Sequence, residues 1–337
     1  MPSLPAPAVA RLLGGAPAEL ELLAGGRNSR VYRVANAAGE TFALKHYFRH
    51  PGDPRDRLGA EQAALGFLWD HGVACVPRPL GADPEAGLGL YEFIAGTRPL
   101  DPTAAEVDQA AAFLVQLHRL GLQPGAERLL PASEARFSLE AVADNVRSRL
   151  LALAAVPALA GFLDGELVPA WEAALTRCMA GCRRLGVPFE RELAPGERTL
   201  SPSDFGFHNA LRRDGRLVFL DFEYFGWDDP AKLVADLLLH PGMQLPAGLR
   251  LRLAEGLLAG FPDPAALRRR VRLAYPLFGI KWCLIMLNEF LPGDLERRRF
   301  AQPEAGSARE RQARQLEKTR QKLHWIRDDH DPFTPAP

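Results

Sequence analysis

The chain has 337 residues, 47% of them hydrophobic and 24% charged, an ordinary balance for a folded globular protein. That length accommodates two or three domains, or one two-lobed enzyme. Lysine plus arginine (41) equals aspartate plus glutamate (41), so no global charge draws the chain toward nucleic acid or a membrane surface.

The N-terminus, MPSLPAPAVARLLGG, lacks the basic region and long apolar run of a signal peptide. Residues 19–47 read as β-structure, with SRVYRVA and ETFALKHY as strands joined by the turn NAAG. Residues 53–72 read as a helix with Leu58, Leu65, Leu68 and Trp69 on one face. VPRPLG then breaks the pattern, and GLGLYEF is a further short strand. Beyond IAGTRP the periodicity becomes helical over 103–120, 138–153 and 162–185. A β-rich patch covers 198–222, and helices return at 230–240, 247–260, 264–292 and 307–326. The most apolar stretch, WCLIML at 282–287, is far shorter than the ~20 residues that span a bilayer. The four cysteines, 75, 178, 182 and 283, show no C-x-x-C or zinc-type spacing, which suits free thiols in a reducing compartment. The expected location is cytoplasmic.

The change from strand-rich to helix-rich sequence near Gly96 predicts an α+β chain with a small β-rich N-terminal lobe, 1–96, and a larger, mainly helical C-terminal lobe, 97–337. A cleft between lobes is the expected ligand site.

Chemistry-bearing residues recur through this frame. In TFALKHY the side chains of Ala43 and Lys45 share a strand face, leaving room for a flat ring beside an ammonium that reaches phosphates. Glu61 lies on the apolar face of its helix, where a carboxylate is costly unless paired, and Lys45 is a plausible partner; a rim glutamate beside a surface lysine is the plainer alternative. A glycine pair precedes the strand SRVYRVA, and Gly25, Gly26, Asn28 and Ser29 could turn backbone amides toward an anion. Phosphoryl transfer needs a carboxylate to orient and accept the proton of the attacking hydroxyl, and ligands for Mg²⁺. Asp204 and Asn209 supply a base and an amide oxygen from one loop. Asp221 ends the strand RLVFL and offers a hard anionic ligand. A hairpin from 209 to 221, turning at RRDG, would bring Asn209 and Asp221 to one end. Each alone is more often a turn or cap residue; together, in this order, they describe a kinase-like site.

In this order the residues resemble the aminoglycoside phosphotransferase and choline kinase group of small-molecule kinases, over about residues 20–290. That family has a glycine loop, a strand lysine, a helix glutamate, a catalytic-loop H-x-D-x-x-x-x-N and a downstream D-x-[DE]. Here GGRNSRVY, Lys45, Glu61, Asp204 with Asn209, and DFE with Asp221 match them. The resemblance implies a protein-kinase-like two-lobed fold, Asp204 as catalytic base, and Asn209 and Asp221 as Mg²⁺ ligands. The D-F-G at Asp204 is then a coincidence of letters. LYEFIAG resembles the family's adenine-binding hinge, with Tyr91 as gatekeeper and the Glu92 carbonyl and Ile94 amide facing the base.

The sequence departs from the pattern in two places. Pro202 replaces the usual catalytic-loop histidine, while His208 is additional and reads as a loop support. WDDPAKLVADL stretches the usual G-D-P-x-x-D-L, so that Asp229 and Asp236 correspond to its two acids. Asp236 is expected to be a buried brace accepting bonds from the loop 201–206. Asn288 and Glu289 are either sugar-binding groups or a polar cap on a core helix. The basic run from Arg297 to Lys322 reads as a solvated helix face.

The function these features imply is ATP- and Mg²⁺-dependent phosphorylation of a hydroxyl on a small molecule, a sugar, amino sugar or amino alcohol. No acidic cluster for a polycationic drug stands out. A nucleotide-binding pseudokinase that regulates a protein partner is the alternative, and nucleotidyl transfer to a protein uses the same motifs. Neither nucleic acid nor a membrane is an expected partner, and the oligomeric state has no signature.

Overall fold

The computed structural model describes residues 4–25, 28–50, 53, 55–294, 300, 307–328 and 331–333. The N-terminal part is a five-stranded antiparallel sheet in the order β1-β2-β3-β5-β4. Its strands are β1 (Glu19–Gly25), β2 (Ser29–Ala35), β3 (Thr41–Tyr47), β4 (Pro79–Asp83) and β5 (Leu88–Glu92). Alternation along β3 sends Leu44 to one face and Ala43, Lys45 and Tyr47 to the other. Leu44 joins Val34, Leu88 and Leu90 in a small core that also takes Ala8 and Val9 of helix α1 (Ala6–Leu13).

Two of these elements differ from the sequence expectation. Helix α1 is too short to show a sustained period, and β4 lies in the segment read as a break. Its Pro79 stands at the first residue of an edge strand, where a missing N–H interrupts no inner ladder.

Helix α2 (Arg57–Asp70) begins where the Asp56 carboxylate accepts from Gly59 N at 2.9 Å, a side-chain N-cap. It buries Leu58, Leu65 and Leu68, and also Glu61. The junction between the sheet and the helical part is tied at Thr97, which exchanges backbone bonds with Arg212 at 3.2 and 2.8 Å. A Cβ on Gly96 would stand 2.6 Å from Arg212 O, so this close backbone approach requires glycine.

The rest of the chain is mainly helical: α3 (Ala104–Leu120), α4 (Leu139–Ala154), α5 (Val168–Leu185), α6 (Pro230–Leu239), α7 (Ala247–Leu258), α8 (Pro264–Met286) and α9 (Ala308–Asp328). Thr103 and Glu106 form a reciprocal capping box at the start of α3. The predicted helix 162–185 is interrupted by a π turn, Leu163–Leu167, just before α5. Pro169 explains the break, since it has no N–H to bond back into the preceding turn. Helix α8 packs on both α5 and α6 within one large core that reaches up to Leu65 and Leu68 of α2. Among the described residues no single helix is long and apolar enough to cross a membrane.

The β-rich patch is two small ladders rather than one sheet. Strands β6 (Thr199–Ser201) and β9 (Gly226–Asp228) pair antiparallel, as do β7 (Ala210–Arg213) and β8 (Arg216–Phe219). Asp214 and Gly215 both have positive φ, 51° and 75°, the two-residue turn that matches strand twist. Leu220 N bonds Asn209 O at 2.8 Å, so the hairpin brings residues 209 and 221 to one end, as the sequence suggests.

Candidate active site

Lys45 reaches from β3 to α2, where its Nζ lies 2.7 Å from Glu61 Oε2. The same ammonium bonds Asp221 Oδ1 and stands 3.4 Å from Glu223 Oε2. Burial by itself would lower the lysine pKa, but Asp221, Glu61 and Glu223 together hold it well above its usual value. Glu61 also accepts from Tyr47 OH at 2.5 Å and, through its other oxygen, from Phe222 N at 3.1 Å. One buried carboxylate thus fixes both the lysine and the backbone beside Asp221. Glu223 accepts from Asn28 Nδ2 at 2.6 Å. Its burial, and the nearness of Asp221 and Glu61 despite Lys45, push its pKa up to about 7.

Asp221 and Ser203 hold left-handed backbone without being glycine, at φ 67° and 65°. Such conformations cost roughly 1–3 kcal/mol each and persist where surrounding contacts enforce them. Ser203 is held by Ser201 Oγ, by Ser133 O and by Lys232 Nζ, at 3.0, 3.1 and 3.1 Å. Asp204 follows directly, and Asn209 Nδ2 donates to its backbone oxygen at 3.0 Å.

The Asp204 carboxylate is engaged on one side only. His208 Nε2 and His240 Nε2 lie 3.3 and 3.2 Å from the same oxygen, Oδ1, and the two imidazoles stack with centroids 4.2 Å apart. Burial lowers the His240 pKa, and Gly242 N donates to its Nδ1 at 2.9 Å. A neutral His240 therefore carries its proton on Nε2 and donates it to Asp204. Burial tends to raise the Asp204 pKa, but the bonds from His208 and His240 outweigh it and keep the group ionised. Among the described residues Oδ2 has no partner. Asp204, Asn209, Asp221, Glu223, Asn28 and Ser29 all line one cavity of about 560 Å³.

Residues 19–273 match the model of the phosphotransferase enzyme family. The chain belongs to that family. No curated protein sequence matches it. Its fold is similar to aminoglycoside phosphotransferase APH(2'')-Ib in the ADP-bound form, at 16% identity and TM-score 0.56, covering 94% of this chain and 96% of that one. It is also similar to choline kinase LicA from Streptococcus pneumoniae, at 17% identity and TM-score 0.58, with 94% and 96% covered. Spectinomycin phosphotransferase APH(9)-Ia, in complex with ADP and spectinomycin, aligns at 13% identity and TM-score 0.59 over 95% and 100% of the two chains. The kinase-like two-lobed fold expected from the motifs is the one observed.

In this phosphotransferase the remaining expected positions fall in three groups. Ala43 pairs with Tyr91 across β3 and β5, and Tyr91 OH meets Tyr47 OH at 2.7 Å. Glu92 ends β5, and its side chain bonds Arg213 Nη1 at 2.9 Å, a second tie between the sheet and the helical part. Ile94 is buried just beyond. Gly25 ends β1, whereas Gly26 lies outside the described residues, as does part of the basic run 297–322. Asn288 and Glu289 line the same cavity as Asp204.

Asp236 requires a correction. It is buried as expected, but its acceptor bonds come from Trp282 Nε1 at 2.8 Å and Lys232 Nζ at 3.1 Å, not from loop 201–206. Lys232 makes the link instead, since it also holds Ser203 Oγ and lies 2.6 Å from Asp228 Oδ2. The lysine's reach across one helical turn supplies the contact that the shorter aspartate cannot make. Sequence reasoning also passed over Tyr47, Glu223 and His240. Glu223 had a signal in the alternating acids of DFE, and Tyr47 shares the strand face of Lys45. His240 had none, because only packing of α6 against the loop brings it to Asp204.

Proposed function

We propose that the protein transfers the γ-phosphoryl group of ATP, with Mg²⁺, to a hydroxyl of a small molecule. The observation that carries this reading is the one-sided engagement of Asp204. Two imidazoles occupy Oδ1 and leave Oδ2 open to the cavity shared with Asp221 and Asn209. An acceptor hydroxyl bound there would give its proton to Oδ2 as its oxygen forms the new bond to phosphorus, and the bond from phosphorus to the ADP oxygen breaks.

Lys45 would hold the α- and β-phosphates, with Glu61 fixing its direction. The oxygen donors Asp221 and Asn209 suit Mg²⁺, which favours hard ligands and takes few of them from protein. The carboxylates converging beside Lys45 fit such an ion, because they are close enough to share one. When bound, Mg²⁺ would neutralise phosphate charge. Gly25, Gly26, Asn28 and Ser29 would face the phosphates. Ala43, Tyr91, Glu92 and Ile94 would form the adenine side. On this reading residues 1–96 are the nucleotide lobe and 97–337 the catalytic and acceptor lobe. A cytoplasmic location accords with the four free cysteines.

The test is thermal unfolding with and without Mg²⁺–ATP, since a ligand that binds only the folded state raises its apparent stability. A rise in Tm is expected at millimolar nucleotide. The absence of any shift with both ATP and GTP would overturn the reading.

A further inference from the structure

Helix α8 places Lys281 in the wall of the same cavity that Asp204 lines. The residue is only 3% exposed, yet its ammonium has no hydrogen bond or ion pair among the described residues. The acids whose charge it feels, Asp236, Glu134 and Asp228, are turned to other donors, Asp228 to Lys232. Asp236 is taken by Trp282 and Lys232. Glu134 Oε2 accepts from Asn145 and Arg149, both at 3.0 Å. Arg149 lines the cavity too, and its Nε is buried without a partner.

A desolvated cation is costly unless a counter-charge completes it. Burial, joined by the nearby charges of Lys232 and Arg149, pulls the Lys281 pKa down to about 8 against the field of Asp236 and Glu134. A hydroxyl or carbonyl from a ligand would satisfy its hydrogen bonds but not its charge. An ammonium-bearing ligand would add repulsion.

We propose that Lys281, helped by Arg149, binds an anionic group of the acceptor, so that the substrate is a hydroxyl compound bearing a carboxylate or a phosphate. This narrows the acceptor class and rests on the phosphotransferase reading. It also departs from the amino sugars and amino alcohols expected from sequence, whose positive charge would meet Lys281.

Two sets of related hydroxyl compounds that differ in charge test it. The first set is glucose, glucosamine, gluconate and glucose 6-phosphate; the second is glycerol, ethanolamine, glycerate and glycerol 3-phosphate. ADP release with Mg²⁺–ATP should favour an anionic member of at least one set by 10-fold or more in kcat/KM, on the order expected for a charge-assisted contact. The carboxylate and phosphate members separate the two sources of the charge. Lys281→Met should reduce the advantage to about twofold, chiefly through KM, while Lys281→Arg keeps most of it. The methionine variant should unfold no earlier than the parent, because it removes a desolvated charge at nearly constant length. Equal or better turnover of neutral or cationic members would overturn the assignment. So would an advantage that survives Lys281→Met, or no stimulation by any member in a protein whose Tm rises with Mg²⁺–ATP. If Mg²⁺–ATP leaves Tm unmoved, the phosphotransferase reading has failed first.

Discussion

Glu61 Oε2 lies 2.7 Å from Lys45 Nζ, with 5% and 8% of the two side chains exposed. The lysine is the common counter-charge for Glu61, Asp221 and Glu223. Lys45→Met would leave two buried carboxylates without it, and breaking a buried pair from one side typically costs about 3–5 kcal/mol. Urea unfolding should show a loss of that order. Glu61→Gln keeps an oxygen for Phe222 N and should lose less, about 1–3 kcal/mol. A Lys45→Met protein as stable as the parent would mean that the ammonium is not compensating these acids.

Glu223 gives stability a pH dependence of definite sign. Its folded pKa, about 7, stands above the ordinary carboxylate value, so the folded state binds the extra proton. The associated stability is present below the unfolded pKa, near 4.5, and is lost as pH rises through 7. Without ligand, the protein should become less stable between pH 5 and pH 7.5 by about 1–3 kcal/mol from this group. Glu223→Gln should flatten that slope, as read from denaturant midpoints across the range. An unchanged slope would assign the titration elsewhere.

Asp221 and Asp204 should separate in their phenotypes. A metal ligand acts on the ground-state complex, whereas a base acts on the attacking hydroxyl. Asp221→Ala should abolish the Mg²⁺-dependent rise in Tm with ATP. Asp204→Ala should retain the rise and lose turnover. The reverse pattern would make Asp204 the metal ligand.

His240 orients Asp204 from the side away from Oδ2. His240→Ala should lower turnover by about 10–100-fold, since small misplacements of a reacting group carry costs of that order. The Tm rise with Mg²⁺–ATP should persist, because the partners of His240 among the described residues, Asp204, His208, Trp282 and Gly242, are not assigned to the nucleotide. A loss of nucleotide binding instead would show that the imidazole supports the cleft as a whole.

Lys232 is 1% exposed and serves Asp228, Asp236 and Ser203 together. Lys232→Met leaves the fully buried Asp228 without its cation and should destabilise the protein by about 3–5 kcal/mol. Differential scanning calorimetry would register it as a lowered Tm. Asp236→Asn should cost less, about 1–3 kcal/mol, because Lys232 keeps Asp228. Equal costs for both variants would make Asp236 the principal partner.

Local periodicity was enough to read β2, β3, α2 and most C-terminal helices, because each buries one face and repeats within its own span. It also carried Lys45 with Glu61, and the Asn209–Asp221 hairpin whose turn and flanking strands are contiguous. Helix α1 and strand β4 escaped because neither has a repeat long enough to register, and Pro79 conceals an edge strand that tolerates it. The motif order was legible since a phosphoryl-transfer site needs few groups, each set on an element with its own pattern. Tertiary packing decided the rest. Asn28 meets Glu223 across 195 residues, and Lys45 meets Asp221 across 176. His240 reaches Asp204, and Lys281 enters the cavity wall, only because α6 and α8 pack where they do. A lone histidine or lysine on a mostly apolar helix has no sequence signal for what it faces. Its chemistry depends on the distance and burial of partners that the chain brings together only when the core forms.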